Sequence, residues 1–137
     1  MNTCRHTVQY YETDKMGITH HSNYIRWMEE ARVDFMSQIG WDYAKLEKEG
    51  VICPVVGLDC SYKASTTFSD VIEIEVTVKE FKGVKLKLSY IMKNANGDIV
   101  FEGNSEHCFL NSSGTLIRLN RSYPELYDAL VALIIEN

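Results

Sequence analysis

Between Tyr10 and Tyr24 the chain reads Tyr-Tyr-Glu-Thr-Asp-Lys-Met-Gly-Ile-Thr-His-His-Ser-Asn-Tyr, so a carboxylate at Asp14 and a glycine at Gly17 lead directly into a segment with helical spacing. A carboxylate can act as a base or a nucleophile. The free N–H groups at the start of a helix can meet the oxyanion that grows when a carbonyl is attacked. Together these parts suit acyl chemistry. A plainer alternative stands beside this one, because an aspartate before a glycine often only accepts hydrogen bonds from its own turn. The adjacent His20 and His21 raise a metal alternative, but on a helix their side chains would point about 100° apart and would not easily share one ion. The chain contains no Gly-x-Ser-x-Gly elbow, Walker loop, dinucleotide fingerprint or His-Glu-x-x-His motif, which disfavours serine hydrolases, kinases and zinc proteases.

The elements that must position Asp14 follow from periodicity. Residues Arg5–Tyr11 read as a strand, with His6, Val8 and Tyr10 alternating against Arg5, Thr7 and Gln9. From Asn23 to Ile39 the residues Tyr24, Trp27, Met28, Ala31, Phe35 and Ile39 recur at helical spacing, with Ser22 as N-cap and Gly40 as the stop. A short helix is predicted over Asp42–Lys48, ended by Gly50, after which Val51–Tyr62 contains a break at Cys53-Pro54 and then a strand. Ile72, Ile74, Val76 and Val78 alternate with polar residues, and Leu86, Leu88, Tyr90 and Met92 repeat the pattern. Lys82-Gly83 and Asn96-Gly97 mark the turns, the second leading into a strand over Ile99–Leu110. A short strand follows the Asn111–Gly114 turn, and Ser122-Tyr123-Pro124-Glu125 then opens a C-terminal helix with a capping-box pattern. Its residues Leu126, Leu130, Val131, Leu133 and Ile134 are too many for one sheet to cover, which suggests contact with a neighbouring subunit as well. The order of strand, long helix and antiparallel strands implies an α+β architecture with the helix on one sheet face.

The 137 residues suit one domain, and 45% hydrophobic with 24% charged residues is ordinary for a globular protein. A net charge of −5 argues against a general nucleic-acid binder. No apolar run approaches the length that spans a bilayer, and no secretory pattern is present, so a cytoplasmic location is expected. Cys4, Cys53, Cys60 and Cys108 contain no Cys-x-x-Cys pair and read as buried free thiols rather than disulfides or a zinc site. Glu29 and Arg32 stand i, i+3 on the long helix, where an ion pair is the simplest reading. Lys79, Lys82, Lys85 and Lys87 cluster around a turn, as a solvated basic face or a phosphate-binding one. Tyr11, Met16, Ile18, Tyr24, Trp27 and Val56 could line an acyl tunnel or simply pack the core. His6 and His107, in strands, read as satisfied, partly buried histidines.

The run Asp14, Gly17, Ile18, Thr19, His20, His21 and Tyr24, continued by Trp27, Glu29, Ala31 and Arg32, resembles the signature of hotdog-fold thioesterases of the 4-hydroxybenzoyl-CoA thioesterase type. That group includes the small bacterial acyl-CoA thioesterases associated with the Tol-Pal system. Thr19 stands where the family has a mostly apolar residue. The resemblance implies a curled antiparallel sheet around a long central helix, built as a homodimer with active sites between subunits and commonly assembled into a homotetramer. It implies an acyl-CoA substrate, hydrolysis without metal or other cofactor, and Asp14 as the group that attacks the thioester or activates water. Gly17 shapes the bend, the His21 backbone N–H faces the thioester oxygen, and the His21 side chain is a second candidate. Glu29 falls where a carboxylate contacts the acyl group in the aryl-CoA members, and Lys82 and Lys85 near the turn that meets the nucleotide of CoA, although Gly83 and Val84 replace residues that are often basic or polar there. Alternatives are an acyl carrier protein thioesterase, a non-catalytic acyl-CoA-binding module, and a dehydratase, which would want a histidine–carboxylate pair placed differently.

Overall fold

The computed structural model describes residues 3–136, with side chains through Ile134. Five strands and four α-helices are formed among the described residues: β1 (Cys4–Thr7), α1 (Ser22–Gln38), α2 (Tyr43–Glu49), β2 (Val55–Tyr62), β3 (Val71–Phe81), β4 (Leu86–Lys93), β5 (Ile99–His107), α3 (Leu119–Ser122) and α4 (Pro124–Glu136). The strands make one antiparallel sheet in the order β1-β3-β4-β5-β2. Cys4 lies opposite Ile74 and His6 opposite Ile72.

The chain clusters into two compact units. The first comprises the residues up to Phe35 with Cys60–Val76 and Tyr90–Gly103, and the second Met36–Asp59, Thr77–Ser89 and the residues from Asn104 onward. In the first, the helical stripe predicted for α1 is the buried one, with Tyr24, Trp27, Met28, Ala31 and Phe35 all inside. Tyr24 stacks on Phe101 at 5.2 Å between centroids. Ile72, Ile74, Tyr90 and Met92 are fully buried, as the alternating strand pattern requires. Arg32 is buried rather than at the surface, and its guanidinium donates to the Tyr90 hydroxyl at 3.2 Å, while Glu29 stays exposed.

In the second unit Asp42 caps α2 by accepting from the Lys45 N–H at 2.8 Å, and Gly50 ends it in the left-handed region. Val78, Phe81, Leu86, Leu88, Phe109 and Leu119 are buried there with Leu126 and Leu130 of α4, whereas Val131, Leu133 and Ile134 are only half-buried. The β3–β4 turn places Gly83 at φ 101°, with the Asn120 side-chain oxygen 2.6 Å from where a Cβ would stand. Gly83→Ala is therefore expected to lower stability by about 1–2 kcal/mol, read as a lower midpoint of thermal unfolding, because a left-handed φ is costly for any residue with a Cβ.

Three expectations at element ends are corrected. The first strand stops at Thr7, and Tyr10–Glu12 form a 3-10 turn that leaves Tyr10 76% exposed. The cause is Glu12, whose carboxylate accepts from the Gln9 N–H at 2.8 Å and draws the chain out of the strand. Ser22 is the first residue of α1 rather than its cap. Ser122 belongs to the short helix α3, so α4 begins on Pro124, a residue suited to a first helical turn, without the predicted capping box.

Candidate active site

Asp14 sits in a tight, exposed turn. Its carbonyl oxygen accepts from the Gly17 N–H at 3.0 Å, its Oδ1 from the Met16 N–H at 2.8 Å, and its own N–H donates to the Ile18 oxygen at 2.9 Å. Gly17 has φ 80° with nothing within 4 Å of a built Cβ, so the position needs a glycine for its backbone angle and not for space. The outgoing limb is pinned to residues far along the chain. Gly17 O accepts from the Thr67 hydroxyl at 2.9 Å, and the Thr19 N–H donates to Thr66 O at 2.8 Å. Thr19 is buried because its hydroxyl meets that of Thr66 at 2.6 Å, which in turn lies 3.0 Å from the Tyr24 hydroxyl. Burial, ahead of these hydrogen bonds, holds the Tyr24 phenol above its ordinary value.

Glu12, two residues before Asp14, ties this turn to the helix. It is only 5% exposed, and its carboxylate meets His6 Nε2 at 2.8 Å and accepts from the Trp27 indole N–H at 2.8 Å as well as from Gln9. The other His6 ring nitrogen lies 2.9 Å from Glu30. Glu12's carbonyl oxygen accepts from the His20 N–H at 2.8 Å and from the Asn23 side chain at 2.9 Å. Burial alone would raise the Glu12 carboxyl, but the hydrogen bonds from Gln9, His6 and Trp27 together outweigh it and hold the group below its ordinary value.

This anchoring keeps His20 and His21 ahead of the first helical residue. Their rings accordingly lie 4.3 Å apart, not on diverging helical directions as the sequence suggested. No group of three or more metal-ligating side chains forms among the described residues. Among those residues, too, no acceptor meets the His21 N–H, whereas the Ser22 N–H meets His20 Nδ1 and the Asn23 N–H meets His20 O. The His21 side chain is exposed at the edge of a cleft of about 350 Å³ lined by Ile18, Thr19, His21, Tyr24, Tyr62 and Lys63, with Ala64 and Ser65.

The structure thus brings together Ile18, His21 and Tyr24 in one cleft, with Asp14 and Gly17 on the turn hydrogen-bonded to its Ile18 side. Of the other tunnel candidates, Tyr11 and Met16 are 80% and 79% exposed, Val56 is exposed on β2, and Trp27 is fully buried against Glu12. Glu29 is exposed on α1 and does not line the cleft. Lys82 and Lys85, in the second unit, line a different cleft of about 320 Å³ with Lys87 and Arg118. They carry loose ion pairs to Glu80 at 3.7 Å and Glu106 at 3.6 Å. Sequence reasoning missed Glu12, Thr66, Thr67, Tyr62 and Arg118. Only Glu12 carried a local signal, as an acid standing two residues from Asp14 in the same turn.

A profile of the thioesterase-like superfamily matches residues 8–130. A Bacillus subtilis (strain 168) protein named provisionally as an acyl-CoA thioesterase is 32% identical over 123 residues, 89% of either chain. The crystal structure of a DHNA-CoA thioesterase from Staphylococcus aureus superposes with a TM-score of 0.91 at 31% identity, covering 96% of this chain and 89% of that one. A hypothetical protein from Aquifex aeolicus superposes with a TM-score of 0.87 at 32% identity, covering 93% and 98%. The chain belongs to the thioesterase-like superfamily and has the α+β hotdog fold.

Proposed function

We propose that this thioesterase hydrolyses acyl-CoA thioesters to the free acid and CoA, with Asp14 as the reacting carboxylate and the His21 N–H as an oxyanion donor. One observation carries the reading: a turn holding Asp14 is hydrogen-bonded to the wall of an apolar cleft whose rim also presents a helix-start N–H with no acceptor among the described residues. Two routes use these groups. Asp14 takes a proton from water while the resulting hydroxide adds to the carbonyl, or its own oxygen adds and water later cleaves the anhydride. In either case the oxyanion forms beside the His21 N–H, and its collapse breaks the C–S bond and expels the CoA thiolate, which is then protonated.

Gly17, Ile18 and Tyr24 remain the proposed acyl-side contacts at this cleft, Glu29 is proposed to meet the acyl group from outside it, and Lys82 and Lys85 are those for the CoA phosphates, with Arg118 in the same cleft as the lysines. Their present ion pairs are exposed and weak enough for a phosphate to displace. No metal or cofactor enters either route. The test is CoA release by the purified protein from short, medium, long and aryl acyl-CoAs and from acyl carrier protein thioesters. Turnover of at least one acyl-CoA is expected, and binding without release would make the protein an acyl-CoA-binding module.

A homodimer or homotetramer is proposed with it. The edge strand β2 leaves Val55, Val56, Leu58 and Tyr62 about half exposed, an apolar edge of the kind that pairs with another chain. Light scattering on the eluting peak is expected to give two or four times the mass of the chain, and a monomer would contradict this. No helix among the described residues is long and apolar enough to cross a membrane. A cytoplasmic location is proposed with it.

A further inference from the structure

Tyr62 ends β2 at the cleft and carries no sequence signal for a role there. Its ring meets that of Tyr24 edge-on at 5.4 Å, Phe101 at 5.5 Å and His21 at 6.2 Å. Phe101 is fully buried and does not line the cleft, and its ring touches those of the two cleft residues Tyr62 and Tyr24. The two aromatic walls are held differently. Tyr24 is buried, stacked on Phe101, and its hydroxyl is fixed by Thr66. Tyr62 is 47% exposed, and its hydroxyl donates to the His21 carbonyl oxygen at a long 3.4 Å.

Resting on the acyl-CoA reading above, we propose that Tyr62 is a specificity-determining residue whose ring limits the length of the acyl group the cleft accepts. At about 350 Å³ the cleft is near the small end of ligand sites, so one aromatic side chain decides what fits. Truncating it opens space against the ring faces of Tyr24 and Phe101, which an alkyl chain can fill. The His21 oxygen keeps a donor after the change, because it also accepts from the Tyr24 N–H at 3.3 Å.

The test is calorimetric binding of non-hydrolysable S-ethyl- and S-decyl-CoA thioethers to the wild type and to Tyr62→Ala, Tyr62→Phe and Tyr62→Trp. The Ala variant is expected to move the decyl-to-ethyl affinity ratio up by about tenfold or more, the Trp variant to move it down, and the Phe variant to keep it near that of the wild type. A ratio that stays within about twofold of the wild type in both folded Ala and Trp variants overturns the inference; if one of them fails to fold, the other decides. Thioethers are bound and not cleaved, so this result is separate from CoA release by the wild type, on which the hydrolase reading alone stands or falls.

Discussion

Glu12→Ala is expected to unfold at markedly lower denaturant concentration than the wild type, with a loss of about 3–5 kcal/mol. That is the scale for removing a buried carboxylate from several donors, each one left unpaired costing about 1–3 kcal/mol. The substitution strands His6 Nε2, the Trp27 indole N–H and the Gln9 N–H at once, all of them 2.8 Å from the Glu12 carboxylate. Glu12→Gln keeps the shape and one acceptor oxygen, and is expected to lose about 1–3 kcal/mol for the donors left facing an amide. The same carboxylate sets a pH dependence. Its folded pKa is lowered from the model-compound 4.5, so the unfolded chain takes up the proton first as pH falls. The stability Glu12 contributes is therefore fully present above about pH 4.5 and is lost as pH drops through the lower folded value. Chemical denaturation across the acidic range should show the wild type and Glu12→Ala converging as pH falls below that point; a constant gap down to the lowest pH at which both fold would refute the assignment.

Asp14→Asn is expected to lower kcat by about 10²-fold or more while leaving the affinity for a thioether analogue within a few fold. A loss confined to kcat marks a group whose interaction is made in the transition state rather than with bound substrate. The substitution is mild for the fold. The amide oxygen of asparagine can still accept from the Met16 N–H, and Asp14 is exposed, so neither the turn nor the core is disturbed. His21→Ala makes the contrast. The proposed donor there is the main-chain N–H, which survives any side-chain replacement, so a much smaller loss is expected than the 10²- to 10³-fold typical of a lost oxyanion donor. A His21→Ala variant as inactive as Asp14→Asn would move the chemistry onto the imidazole.

How much of this was legible in the chain follows from the range of each interaction. The α1 stripe, the alternation in β3 and β4, and the glycine stops at Gly40 and Gly50 are local, and they were readable because side-chain periodicity and left-handed φ are set within a few residues. The turn at Asp14 was readable for the same reason. The early end of β1 was not, because Glu12 reaches Trp27 fifteen positions on as well as Gln9 beside it. Nor was the burial of Arg32, whose guanidinium reaches Tyr90 across 58 positions. Thr66 and Tyr62 reach the site from more than forty residues downstream of Thr19 and His21, and only the sheet brings them there. The placement of β1 beside β3 is of the same kind, since pairing between distant strands leaves no mark in either one alone.

The most direct test of the account is CoA release, followed by thiol titration, from the best acyl-CoA substrate by the wild type and Asp14→Asn in parallel, both confirmed folded by thermal unfolding. The account predicts turnover by the wild type and a fall of about 10²-fold or more in the variant. Equal rates in the two proteins would contradict it and remove Asp14 from the chemistry.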